Sequence, residues 1–99
     1  MLNLRQHIEP APTGQEPIYF AGIPTQCDLC DCTMHDNQFI ADAFTPASDC
    51  WALLCQQCIT DNHVVFGWGV GQLYQKQFNN PSQWLLVAGY PTESINEND

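Results

Sequence analysis

The chain has 99 residues, 44% of them hydrophobic, and sets two basic side chains against eleven acidic ones for a formal net charge of -9. That length suits one domain, with a core small enough that a metal or covalent staple would reinforce it. Arg5 and Lys76 are its only strong cations, too few to neutralise a phosphate backbone or to hold the chain on an anionic bilayer.

Residues 1–17 contain three of the seven prolines and little periodicity, so they read as an irregular or mobile N-terminal arm. "IYFAGIP" (Ile18–Pro24) is a short aromatic and branched run closed by proline, the pattern of a strand. A cysteine-rich knuckle follows, "CDLCDC" (Cys27–Cys32). "NQFIADAFT" (Asn37–Thr45) alternates Phe39, Ala41 and Ala43 against Ile40, Asp42 and Phe44, as a strand does. "TPASD" (Thr45–Asp49) is a turn by composition, and "CWALLC" (Cys50–Cys55) is the return strand of a hairpin. "CQQCITDNHV" (Cys55–Val64) lacks a strand's alternation and is long enough for one or two helical turns. "FGWGVGQLY" (Phe66–Tyr74) alternates glycine with bulky residues, "NNPS" (Asn79–Ser82) is a turn, and "WLLVAGYP" (Trp84–Pro91) is a strand. The last strand echoes the first, Tyr19–Pro24 against Leu86–Pro91, which suggests that the two pair. The single domain is expected to span 18–92, followed by an acidic disordered tail at 93–99.

Six cysteines are present, and two C-x-x-C pairs stand out, Cys27/Cys30 and Cys55/Cys58. A two-residue spacer lets one tight knuckle present both sulfurs to one ion. Twenty-four residues separate the pairs, a length that lets a hairpin return the second pair to the first. Four thiolates with no open position are the ligand set of a structural zinc, so one structural Zn²⁺ on Cys27, Cys30, Cys55 and Cys58 is the expected cofactor. Other sets remain open: Cys32 in place of Cys30, Cys50 in place of Cys55, or a mixed site drawing on His35 or His63. A second site from Cys32, His35, Cys50 and His63 has irregular spacing. A Cys32–Cys50 disulfide would need oxidising conditions. The preferred reading makes Cys32 and Cys50 small, semi-buried packing residues.

A knuckle, a hairpin and a C-x-x-C opening a short helix together describe a small α+β, zinc-stabilised domain. The expected fold is a treble-clef-like finger with flanking antiparallel strands; a zinc ribbon is the alternative if "CQQC" is a second knuckle. At a helix N-terminus the free N–H groups help to stabilise thiolates.

Other chemistries fit less well. "GWGVG" is not a dinucleotide fingerprint, because its third glycine is Gly71 where G-x-G-x-x-G requires one at Gln72. Its glycines are expected to let the backbone approach the knuckle or the sheet. A catalytic zinc needs an open position and a nearby base, whereas all four positions look filled and Tyr19–Pro91 contains no glutamate. The chain is therefore expected not to be an enzyme. No apolar run is long enough to span a bilayer, and the N-terminus lacks the pattern of a secretory signal. A cytoplasmic protein is expected, with its cysteines reduced.

With these residues in hand, the chain resembles small, uncharacterised four-cysteine zinc-finger proteins of tailed bacteriophages. Their pattern runs from C-x-x-C through a phenylalanine-aspartate-threonine strand to W-A-x-x-C-x-x-C and G-x-G-x-G-Q-x-Y. Here it is matched by Cys27/Cys30, by Phe39, Asp42 and Thr45, by "WALLCQQC" (Trp51–Cys58) and by "GWGVGQLY" (Gly67–Tyr74). The resemblance implies that the four C-x-x-C cysteines are the metal ligands, that Cys32 and Cys50 are extras, and that the protein works in a host bacterial cytoplasm. It implies no mechanism.

The functional expectation is an acidic interaction protein that binds a host or phage protein, a basic one by preference. In its sharper form it inhibits a nucleic-acid-handling or defence complex by presenting negative charge. The alternatives are a nucleic-acid-binding finger, which fold analogy favours and charge opposes, and a structural or assembly accessory of the virion. Acidity that serves solubility alone is the plain counter-reading. Of the aromatics, most belong in a core, and one or two left exposed would make a protein-binding patch.

Overall fold

The computed structural model describes residues 3–46 and 48–91. Four strands and one helix succeed one another: β1 (Phe39–Thr45), β2 (Cys50–Leu54), α1 (Gln56–Asp61), β3 (Gly71–Lys76) and β4 (Trp84–Ala88). The strands form one antiparallel sheet in the order β2-β1-β3-β4.

The alternation of β1 decides which face is inside. Phe39, Ala41, Ala43 and Thr45 are all buried on one face, while Ile40, Asp42 and Phe44 run from buried to exposed along the other. Register carries the inner face across the sheet. Ala41 lies opposite Leu54 on one side and Leu73 on the other, and Leu73 lies opposite Ala88. All four are buried, together with Met34, Ile59 and Trp84. Burial of such side chains is the main favourable term in a domain of this size, about 1.5–3 kcal/mol for each large one.

The next row is made of small residues, Ala52, Ala43 and Gly71. A Cβ on Gly71 would lie 2.5 Å from the Val65 carbonyl oxygen and 3.0 Å from the Ala43 Cβ, so only glycine lets the 64–70 segment cross here. The close approach expected of the glycine-rich run is therefore to the sheet. A second tight point is Gly89, whose φ of 83° suits glycine and whose Cβ would collide with the Gly71 carbonyl.

Both sheet edges are occupied. Phe20 N–H donates to the Trp84 carbonyl (2.9 Å), Leu86 N–H donates to the Ile18 carbonyl (2.8 Å), and Glu9 N–H donates to the Val87 carbonyl (2.8 Å). These bonds cover β4, and the cysteine knuckle covers β2. Covered edges remove the unpaired backbone that invites further strands.

Several expectations are refined. The run Ile18–Pro24 does pair with the last strand, but only through the bridge Tyr19–Leu85. The chain then bends at Gly22, with φ 89°, which stops a full strand. β1 starts at Phe39 rather than Asn37, because Asn37 and Gln38 bind the start of α1. The arm holds one 3-10 turn, Leu4–His7, with Leu4 buried against the core. β3 was hidden in the sequence by its overlap with the glycine-rich run. The expected tail at 93–99 lies outside the described residues.

Candidate metal centre

The first pair of cysteines sits in a turn closed by its own backbone. Cys27 N–H donates to the Cys32 carbonyl (2.9 Å) and Asp31 N–H to the Cys27 carbonyl (2.9 Å), and Gln26 bridges Thr33 across the base. Asp31 takes a left-handed φ of 64°, a conformation that aspartate tolerates better than most residues. The turn is tied to β2 through Asp28. Its N–H donates to the Leu53 carbonyl (2.9 Å), and its carboxylate accepts from Leu53 N–H (2.8 Å). Asp28 is thus a structural clamp and not merely surface charge.

The second pair opens α1. Cys55 is the N-cap residue and Cys58 lies within the first turn. The helix start is held by two amides. The Gln56 carbonyl oxygen Oε1 accepts from Gln38 N–H (2.6 Å) and Phe39 N–H (2.9 Å), while Gln56 N–H donates to Asn37 Oδ1 (2.9 Å). Asn62 returns a side-chain bond to the Cys58 carbonyl (2.8 Å). β1 and the helix are thereby locked together beside the knuckle. Asn37, Gln56 and Asp28 carry no motif of their own, and sequence reading passed over all three as site residues.

These elements bring Cys27, Cys30, Cys55 and Cys58 together, with their sulfurs all within 4.8 Å of one another. The Cys30 and Cys55 sulfurs are 3.7 Å apart. A tetrahedron of thiolates with metal–sulfur bonds of 2.3 Å has edges of about 3.8 Å. The donor set fits a thiophilic ion of the zinc type, and these four cysteines can hold one metal ion. Cys27, Cys55 and Cys58 are buried, at 2%, 2% and 7% exposure, while Cys30 is exposed.

The remaining candidates fall elsewhere. Cys32 and Cys50 are both exposed, which corrects the reading of them as semi-buried packing residues. Cys32 belongs to the tight knuckle turn, and Cys50 begins β2 beside the hairpin turn, opposite Thr45, so neither reaches the core. They form no disulfide: Cys32 Sγ lies 3.1 Å from Cys30 Sγ, and Cys50 Sγ lies 3.7 Å from Thr45 Oγ1. His35 is exposed and faces Asp36 at 3.4 Å, and His63 is an exposed residue with a left-handed φ of 49°. Among the described residues, neither histidine joins a metal-binding group.

Electrostatics single out the Cys30–Cys32 contact. The Cys32 thiol and backbone hold the Cys30 thiol down at about 6. The same contact, with Cys55 adding to it, pushes Cys32 up to about 12. Burial pushes the Cys58 thiol up as well, as expected where a thiolate has no water.

No family model, curated protein or solved structure matches the chain. No helix of the described residues is long and apolar enough to cross a membrane.

Proposed function

We propose that this chain is a non-enzymatic binding module in which one structural zinc, held by Cys27, Cys30, Cys55 and Cys58, fixes a treble-clef-like finger, and whose acidic surface engages a basic protein. The observation that carries the reading is the outer face of the hairpin. Phe44 and Trp51 are cross-strand partners, and both are exposed, at 36% and 46%. Val70 is exposed beside them, its carbonyl accepting from Phe44 N–H (2.9 Å). Asp42 lies on the same face of β1 and is half-buried next to Trp51, with Asp28 near enough to add to its charge. Aromatic side chains flanking a carboxylate suit an arginine or lysine, which stacks on the ring and pairs with the acid.

The charge distribution agrees with this reading. Four thiolates and a divalent ion would take the net charge from -9 to -11. Of the two strong cations, Lys76 is engaged internally: its ammonium donates to the His35 carbonyl and stands 5.2 Å from the Trp84 ring centre. That arrangement weighs against a nucleic-acid-binding finger. In the sharper form of the proposal the partner is a nucleic-acid-handling or defence protein of a bacterial host, whose basic groove the chain occupies from the cytoplasm. The test is a low-salt capture from bacterial lysate with two baits, wild type and the Trp51→Ala/Asp42→Asn double variant. The reading expects a salt-sensitive partner on the first bait and its loss on the second. An empty wild-type bait, or equal recovery on both, would sink it.

A further inference from the structure

The third thiol of the knuckle, Cys32, is placed against the one corner of the cysteine cluster that solvent reaches. Cys32 Sγ is 3.1 Å from Cys30 Sγ. Both Cys30 and Cys32 are exposed, while Cys27, Cys55 and Cys58 are buried. The left-handed residue Asp31 between Cys30 and Cys32 turns the chain back on itself, so that the two sulfurs meet although their residues are next-but-one neighbours. Cys32 also borders open space: with Cys55, Arg5, Phe39 and Gln56 it lines a cavity of about 540 Å³. Motion of the Cys30–Cys32 turn therefore need not disturb the core.

We propose that Cys32 is an alternative ligand for the exposed vertex, so that the ion is held by Cys27, Cys55 and Cys58 together with either Cys30 or Cys32. The inference rests on the proposed zinc reading. The exchange balances without any outside reagent. A zinc–sulfur bond to Cys32 forms as the bond to Cys30 breaks, and the proton of the Cys32 thiol passes to the Cys30 sulfur. Both states have four thiolate ligands and the same total charge. Zinc has no geometric preference from d electrons that would oppose the exchange. A site with two interchangeable ligands at its exposed corner keeps its ion when one of those sulfurs is alkylated or oxidised. Cys30 is therefore the dispensable member of the four.

The test compares wild type with Cys30→Ser, Cys32→Ser, Cys30→Ser/Cys32→Ser and Cys27→Ser, each titrated with Zn²⁺ against a competing chelator and with Co²⁺ by absorption. The expected result is one ion per chain for wild type and for both single variants at the exposed vertex. Their zinc affinities should fall within about 10-fold of wild type, and both should keep a four-thiolate cobalt spectrum. The double variant and Cys27→Ser should lose affinity by more than the roughly 100-fold that losing an outer partner costs. A three-thiolate cobalt spectrum in Cys30→Ser, or an affinity as poor as that of Cys27→Ser, would overturn the proposal. Because Cys27→Ser can fail to fold, alkylation of zinc-loaded wild type supplies an independent reading. Modification should divide between Cys30 and Cys32, whereas full protection of Cys30 with all label on Cys32 would refute the exchange. Wild type that binds no metal at all would remove the zinc reading itself, an outcome distinct from loss in Cys30→Ser alone.

Discussion

The knuckle and β4 are both short segments tied to a sheet edge by backbone hydrogen bonds, yet they hold their places by opposite means. In β4, Trp84, Leu86, Val87 and Ala88 are buried, so hydrophobic burial is the main term that holds it beside β3. In the knuckle, from Gln26 to Thr33, only Cys27 is buried, and Leu29 is the one partly buried apolar residue. Burial of that order cannot offset the entropy of ordering eight residues, about 1–2 kcal/mol for each backbone unit. The knuckle therefore needs other ties: Asp28 binds β2, and on the proposed reading its cysteines bind a metal. On that reading one chain contains a part that packing stabilises and a part that coordination would stabilise.

Breaking the coordination should show this division most strongly. Cys58→Ser, or a chelator on the wild type, is expected to cost on the order of 4 kcal/mol or more. Hydrogen exchange should report the loss first at the knuckle and α1, with β3 and β4 protected longest. Uniform loss of protection would mean that the two parts fold as one.

Leu73→Ala attacks the other side of the comparison. Leu73 is fully buried at the centre of the sheet, opposite Ala41 and Ala88. Its truncation should cost about 2–5 kcal/mol in urea melts, while metal stoichiometry stays at the wild-type value. A variant that still folds but binds no metal would show that the site depends on the core more than the contacts indicate.

Asp28→Ala sharpens the boundary between the two parts. It removes the acceptor for Leu53 N–H and leaves all four cysteines in place. A loss of about 1–2 kcal/mol is expected, with faster exchange at Leu53 and retained metal. No change at Leu53 would assign the docking of the knuckle to the metal alone.

The smallest effect concerns the outer face. Burial raises the Asp42 carboxyl above its ordinary value of 3.8, Trp51 pulls it back, and Asp28 adds to the rise. The folded state then holds that proton more tightly than the unfolded state does. Asp42 contributes stability below the ordinary value and loses it as pH rises through the raised folded value. Asp42→Asn should therefore be more stable than wild type at neutral pH, by less than about 1 kcal/mol because water screens a carboxylate this exposed. Urea melts should show the difference shrinking as pH falls into the ordinary carboxylate range. A variant less stable than wild type at neutral pH would reverse the sign and count against desolvation as the cause.

Much of the sheet was legible because strand alternation and turn composition act locally. The alternating run to Thr45, the turn after it and the return from Cys50 correspond to β1 and β2, and Trp84–Ala88 lies within its expected strand. β3 was obscured because Gly71 belongs to it, and an isolated glycine does not signal a strand. Its reason for being glycine lies in the crossing loop at Val65 and in Ala43 of β1, contacts that exist only once the sheet has formed. The four clustered cysteines were legible from spacing, because a C-x-x-C turn presents two sulfurs whatever surrounds it. Cys32 and Cys50 were misjudged, since exposure depends on which elements pack over a residue. Asn37 and Gln56 were missed as partners because amide side chains carry no spacing rule, and their bond joins residues nineteen apart in sequence.

The sequence by itself determined the acidity of the chain, the two cysteine pairs and the hairpin between them, because charge, short spacers and alternation need no distant partner. The tertiary structure alone decided that the four sulfurs meet and that Asp28 binds β2. It also decided that Phe44 and Trp51 face solvent beside Asp42, and that Cys32 rests on Cys30 at the one exposed vertex. Each of those outcomes depends on register, edge docking or the left-handed turn at Asp31, which exist only once the segments have packed together.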